Sequence, residues 1–189
     1  MRADIDIARA FALDIAPAVG IVATYCDKIE HNEPADPKAV ADAGAAIEHA
    51  VVGLASRLNV DIVAAYADRL AVIETRNVLD HHDAYDGAAA ARDARGWRDL
   101  QLVQVEHDRH FHPDVIGLHK LDQLRHYVLH LAKIVGVFAE AADLDDLLAR
   151  RLPDCLLFAI KLRTVTGTRL GDEPLPRPLA AAGATPAVV

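Results

Sequence analysis

The chain is predicted to fold as an all-α, single-domain bundle of about six helices. Three observations predict this. Ala, Leu and Val dominate a sequence that is 52% hydrophobic but only 5% aromatic, a composition suited to helix-on-helix packing. Apolar residues recur at helical spacing between breaks marked by Pro, Gly, Asn and Asp. No stretch alternates as a half-buried strand does. At 189 residues the chain is long enough to bury one substantial core.

The elements follow in order. A first helix is expected from near Asp4 to Ile29, kinked by Pro17. HNEPADP (31–37) reads as a loop, with Asp36-Pro37 as N-cap and first-turn proline of a second helix running to about Leu58. Asp61 is placed to cap a third helix, through about Leu79, after the short break NVD (59–61). DHHDAYDG (80–87) reads as a solvated loop. A fourth helix spans about Ala88 to Phe111, with an interruption near Gly96, and stops before Pro113. FHPDVIGLHKLDQL (111–124) is a proline-fixed helix–helix turn, and also a candidate pocket rim. The fifth helix covers Lys120 to Ala142. The sixth covers Leu144 to Thr166, bent or divided at Pro153. The helical domain is thus 1–171, and 172–189, with four prolines and no periodicity, reads as a mobile tail.

A net charge of −8 with no basic stripe argues against a nucleic-acid partner. The apolar N-terminus is interrupted by Asp4, Asp6, Arg9 and Asp14 and lacks a signal-peptide pattern. It also lacks the uncharged run of roughly 18 residues that a membrane span requires. No membrane association is therefore expected. Cys26 and Cys155 lie far apart in apolar contexts, as reduced thiols of a cytoplasmic protein do. The extent of alanine-rich apolar surface predicts a homodimer.

Two segments look alike. LDIAPAVG (13–20) and LHLAKIVG (129–136) share L-x-[IL]-A-x-x-V-G, and each precedes a helix of similar character, VVGLASRL (51–58) and LLFAIKLR (156–163). Two related helical hairpins would give this pattern; so would alanine-rich composition alone.

LASRLNVDIVAAYADRLAVIETRN (54–77) resembles the C-terminal helical part of the MazG-like all-α NTP pyrophosphohydrolases, where a leucine-rich helix end and a short G-x-D-like break precede a helix with an arginine-containing end. LDIAPAVG and LHLAKIVG are similar to that family's helix built on an L-x-E-E-x-G-E core. The resemblance covers about half the chain. It implies a helical fold and action on, or binding of, a nucleotide or other phosphorylated small molecule. The family holds magnesium on carboxylates spaced E-x-x-E and E-x-x-D. Here Pro17, Ile21, Lys133 and Val137 stand at the first set of positions; on the later helix Asp154 remains and Arg151 replaces the glutamate. The resemblance therefore carries over without the family's magnesium site.

Independently of that likeness, three helices carry narrow polar stripes. At 100° per residue, Trp97, Leu100, Val103, His107 and Phe111 share an apolar arc, with Asp99, Glu106 and His110 beside it and Asp108 and Arg109 turned to solvent. The fifth helix, apolar nearly all round and so expected at the centre of the bundle, confines its polarity to His126, His130 and Lys133. Asp154 and Lys161 share a face of the sixth. Buried polar groups need partners, so the stripes are expected to face one another in one site.

Three readings of that site stand open. In one, it binds an anionic, phosphorylated small molecule through Lys133, Lys161 and Asp99, with Glu106, His110 and His130 as candidate acid–base groups. In another, His126-x-x-x-His130 with His110, Glu106 and Asp154 holds a divalent metal (Zn, Fe or Mg) in a helix-bundle oxidase or hydrolase. In the third, the same residues form a satisfied core network of a non-catalytic dimerisation or regulatory module, the lysines pairing with Asp154 or Glu106. HHDAYD (81–86) adds histidines in a loop. No Gly-rich phosphate loop, G-x-S-x-G elbow or CxxC motif is present.

Overall fold

A computed structural model describes residues 2–76 and 85–176. Its regular elements are helical: α1 (Arg2–Glu30), α2 (Pro37–Arg57), α3 (Ile62–Arg76), α4 (Gly87–Asp93), α5 (Trp97–Phe111), α6 (Pro113–Ile116), α7 (Lys120–Glu140), α8 (Leu144–Asp146), a π-helical turn (Leu147–Arg151) and α9 (Leu152–Val165). The expected end of the third helix near Leu79 and most of the histidine-bearing loop lie outside the described residues, as do residues 177–189.

The caps explain the boundaries. Asp36 accepts from Lys38 N and is followed by Pro37, starting α2; Asp61 Oδ1 accepts from Val63 N and Ala64 N, starting α3. Asn59 takes a left-handed conformation (φ 53°) between these two helices. α1 runs unbroken through Pro17. Leu13, whose carbonyl loses its helical partner to that proline, is exposed, as Pro17 is, so water can serve it. Pro153 does break the last helix: the π turn precedes it, and α9 starts one residue before it.

α1, α2, α7 and α9 form the core bundle. α1 packs most extensively on α7 and α2 on α9, while α1–α2 and α7–α9 close the hairpins. Leu13 and Leu129, equivalent in the repeated motif, are 77% and 71% exposed, and the following Ile15 and Leu131 are both buried. Contrary to the expectation for the fifth helix, α9 is the central one: every residue from Leu152 to Leu162 is buried, whereas α7 keeps an exposed face. α3 and α5 pack on α9, and α4 packs on α3 and α5.

By length and composition alone, α1 and α2 are apolar enough to cross a membrane. In this fold each packs one face into the bundle, and the other carries Asp6, Asp14, Asp27 and Asp42.

The fourth expected helix is two helices, because the chain turns at Gly96. A Cβ there would sit 3.1 Å from Glu173 O and 3.2 Å from Asp172 O. Those close neighbours are the returning C-terminal segment. Glu173 O accepts from Trp97 N and Gly171 O from Arg98 N, so backbone carbonyls cap α5 in place of a side chain. Leu170 and Leu175 are buried. Order therefore continues past the boundary expected at 171.

Candidate functional site

His126, His130 and Lys133 of α7 and Asp154 and Lys161 of α9 line one cavity of about 440 Å³, so the polar stripes of these two helices do converge. α3 contributes Arg69 and Arg76, the π turn Arg150 and Arg151, and the start of α6 His112 and Asp114. The stripe of α5 is not among the lining residues. Glu106 instead pairs with Arg109 at 2.8 Å, and His110 Nδ1 lies 2.9 Å from Glu106 O with its ring stacked on Tyr85. Asp99 accepts from Arg95 N at 2.9 Å, reaching back over the start of α5.

The reason is a rotation of α5. Gln101, Gln104 and Asp108, spaced i, i+3, i+7, are buried beside Leu100, Val103 and His107, so Asp108 points inward and not to solvent. Lys161 pairs with Asp108, not with Asp154 or Glu106; their atoms are 2.7 Å apart and both side chains are 7% exposed. Gln104 Nε2 also donates to Asp108 Oδ1, and Tyr66 Oη donates to Gln104 Oε1. Burial works to raise the Asp108 carboxyl, but His107 and Lys161 outweigh it and hold it below the usual range. Asp154 is claimed by Arg69, whose Nε and Nη2 donate at 2.6 and 3.4 Å.

Six cationic side chains line the cavity beside two carboxylates, and four of the six are already paired: Arg69 with Asp154, Lys161 with Asp108, and Arg150 and Arg151 with Asp146. Among the described residues, Arg69 Nη1, Arg150 Nε and Arg151 Nε are buried without a hydrogen-bond partner, although Arg150 and Arg151 both approach Asp146. The imidazoles are held neutral. Burial, then His126, Lys133 and Lys161, push His130 down to about 4; burial and Lys161 push His112 to about 4; the same two causes lower His126. His130 stacks on Phe158 with ring centroids 5.0 Å apart and lies 4.6 Å from the His126 ring. The surface is a cationic wall carrying neutral proton acceptors.

A second cavity, of about 320 Å³, lies between α5, α7 and the end of α9, lined by Gln104, Asp108, Gln123, Tyr127 and Lys161 among others. Lys161 borders both cavities. Near it, His107, Asp108 and His112 present ligand atoms within 4.8 Å of one another, a grouping able to hold a metal ion.

The arginines were the residues that sequence reasoning missed. Arg69 and Arg76 are spaced i, i+7 and share a face of α3, and Arg150-Arg151 is a visible pair, but basic residues on an amphipathic helix ordinarily read as solvated. Comparisons of the chain with known protein families, with curated proteins and with solved structures returned no match.

Proposed function

We propose that the larger cavity binds an anionic, phosphorylated small molecule. The observation that carries this reading is the set of six cationic side chains lining it against two carboxylates; three of the six keep a guanidinium nitrogen with no hydrogen-bond partner among the described residues. A buried donor left unpaired costs roughly 1–3 kcal/mol, and a phosphate oxygen is the acceptor that guanidinium groups match best. Nucleotides belong to this ligand class, in keeping with the MazG-like resemblance, but the phosphate would meet arginines directly and not through carboxylate-held magnesium. Neutral His130 and His126 supply acid–base capacity: a bound phosphate raises a nearby imidazole toward the range where it exchanges protons.

The test is calorimetric titration with inorganic phosphate, pyrophosphate and nucleoside mono- and triphosphates, run beside thermal melts. Saturable binding of at least one is expected, weakened about 10- to 100-fold in Arg151→Ala, as loss of one charge-assisted contact implies. Turnover of the bound compound, lost in His130→Ala without loss of binding, would make the site catalytic. No binding by any of the four probes, or unchanged affinity in Arg151→Ala and Arg69→Ala, overturns the reading.

A further inference from the structure

The nine residues EHDRHFHPD (106–114) hold a second constellation, beside the anion cavity and sharing His112 with its lining. His107 is 0% exposed, and neither ring nitrogen has a hydrogen-bond partner among the described residues. Its approaches to carboxylates are long: Nε2 to Glu74 Oε1 is 3.7 Å and Nδ1 to Asp108 Oδ1 is 4.0 Å. Neither is a hydrogen bond. A fully buried imidazole with two idle nitrogens is costly, and native interiors rarely leave one so. Its ring centroid is 6.0 Å from that of His112, and ligand atoms of His107, Asp108 and His112 all fall within 4.8 Å. Metal–ligand bonds of about 2.0–2.2 Å need that group to contract by only a small side-chain adjustment.

We propose that His107, Asp108 and His112 bind a divalent transition-metal ion, with Lys161 as the cation that occupies the carboxylate when the metal is absent. Two imidazoles and one carboxylate suit zinc, iron(II) or cobalt(II) and disfavour magnesium, which takes oxygen ligands. Three protein ligands leave coordination positions open, and His112, which lines the larger cavity, gives them a direction of access. Lys161 is the group that must yield, since an ammonium 2.7 Å from the same carboxylate repels a dication. It has somewhere to go. Its Nζ already lies 5.7 and 5.6 Å from the ring centroids of Tyr127 and Phe158, and both cavities adjoin it. Metal binding therefore releases a buried lysine toward the anion cavity, coupling the two sites.

The test uses untagged, full-length protein stripped with chelator and held in an anion-poor buffer, so that it does not depend on the phosphate reading. Zinc is titrated calorimetrically, and cobalt(II) is followed by its visible absorption. One ion per chain is expected, with a cobalt spectrum of low coordination number. His112→Ala and His107→Ala should each weaken binding by about 100-fold or more, beyond the 10- to 100-fold typical of groups that merely support a ligand. Lys161→Met, which removes the competing cation, should tighten it. His126→Ala and His130→Ala should leave it unchanged. If His107→Ala fails to fold, His112→Ala, at a half-buried helix end, carries the test alone. Absence of binding in the wild-type chain, or loss of zinc in the His126 and His130 variants with retention in His112→Ala, overturns the proposal.

Discussion

Lys161 Nζ sits 2.7 Å from Asp108 Oδ1, tying α9 to α5 through an ion pair of which each side chain is only 7% exposed. Burying two charges costs several kcal/mol in desolvation, so the pair itself need not stabilise the fold, whereas a single survivor is strongly unfavourable. Lys161→Met should therefore destabilise the protein by roughly 3–5 kcal/mol. Adding Asp108→Asn should recover most of that, because Asn Oδ1 still accepts from Gln104 Nε2 and carries no charge. Guanidinium denaturation of the two single variants and the double one measures the coupling. Simple additivity of the two single effects would show that the pair does not act as a unit.

The polar stripes of α7 and α9 converge on one cavity and that of α5 does not, for a physical reason. His126, His130 and Lys133, and Asp154 and Lys161, are polar positions on apolar helices, so burial of the surroundings fixes where they point. α5 carries polar residues on both flanks of its apolar arc. Which flank goes inward is decided by tertiary partners: Tyr66 Oη, which donates to Gln104, and Lys161, which pairs with Asp108. A sequence shows those residues but not that they meet α5. Glutamines are mostly surface residues, yet Gln101 Nε2 donates to Thr164 and to Thr168 O, and its Oε1 accepts from Leu170 N. The π turn was half legible. Pro153 announced a break, but not that Arg150 and Arg151 would both line the cavity.

α2 and α9 approach closely enough to exclude a side chain at one point. At Gly44 of α2, a Cβ would lie 2.9 Å from Arg163 Cγ and 3.1 Å from Ala159 O of α9. The carbonyl belongs to the central helix and cannot swing away. Gly44→Ala should cost roughly 1–3 kcal/mol through overpacking, despite the better helix propensity of alanine. Gly53 and Gly136 are the controls, since a Cβ at either meets nothing within 4 Å. Gly53→Ala and Gly136→Ala should stabilise by up to about 1 kcal/mol. Thermal melts of the three variants decide it, and equal signs at positions 44 and 136 would refute the close-approach argument.

Residues 171–175 are part of the fold because they serve the unpaired amides at the start of α5 and bury Leu175. Deleting 172–189 should cost more stability than deleting 177–189. The expected difference is roughly 1.5–3 kcal/mol, the worth of one buried leucine, before the lost Glu173 carbonyl is counted. Equal melting temperatures for the two truncations would place the boundary back at 171.

His130 makes the stability of the fold depend on pH. Its imidazole is pushed from 6.5 to about 4 by burial first, then by His126 and Lys133 on its own helix, Lys161 of α9 and His112 at the start of α6. In the unfolded chain the same group takes up a proton near the ordinary value. Between about pH 6.5 and pH 4 the unfolded state therefore binds more protons, and stability must fall as the pH falls through that window. His112 and His126 are lowered as well and add in the same direction. His130→Gln removes one of these contributions, so its denaturation midpoint should decline less than that of the wild type between pH 7 and pH 5. Phosphate should flatten the wild-type curve too, because an anion in the cationic cavity favours the imidazolium and lifts the native pKa back toward its unfolded value. Chloride at the same ionic strength should do so far less. Identical slopes for wild type and His130→Gln would mean that His130 is not held neutral by the cavity.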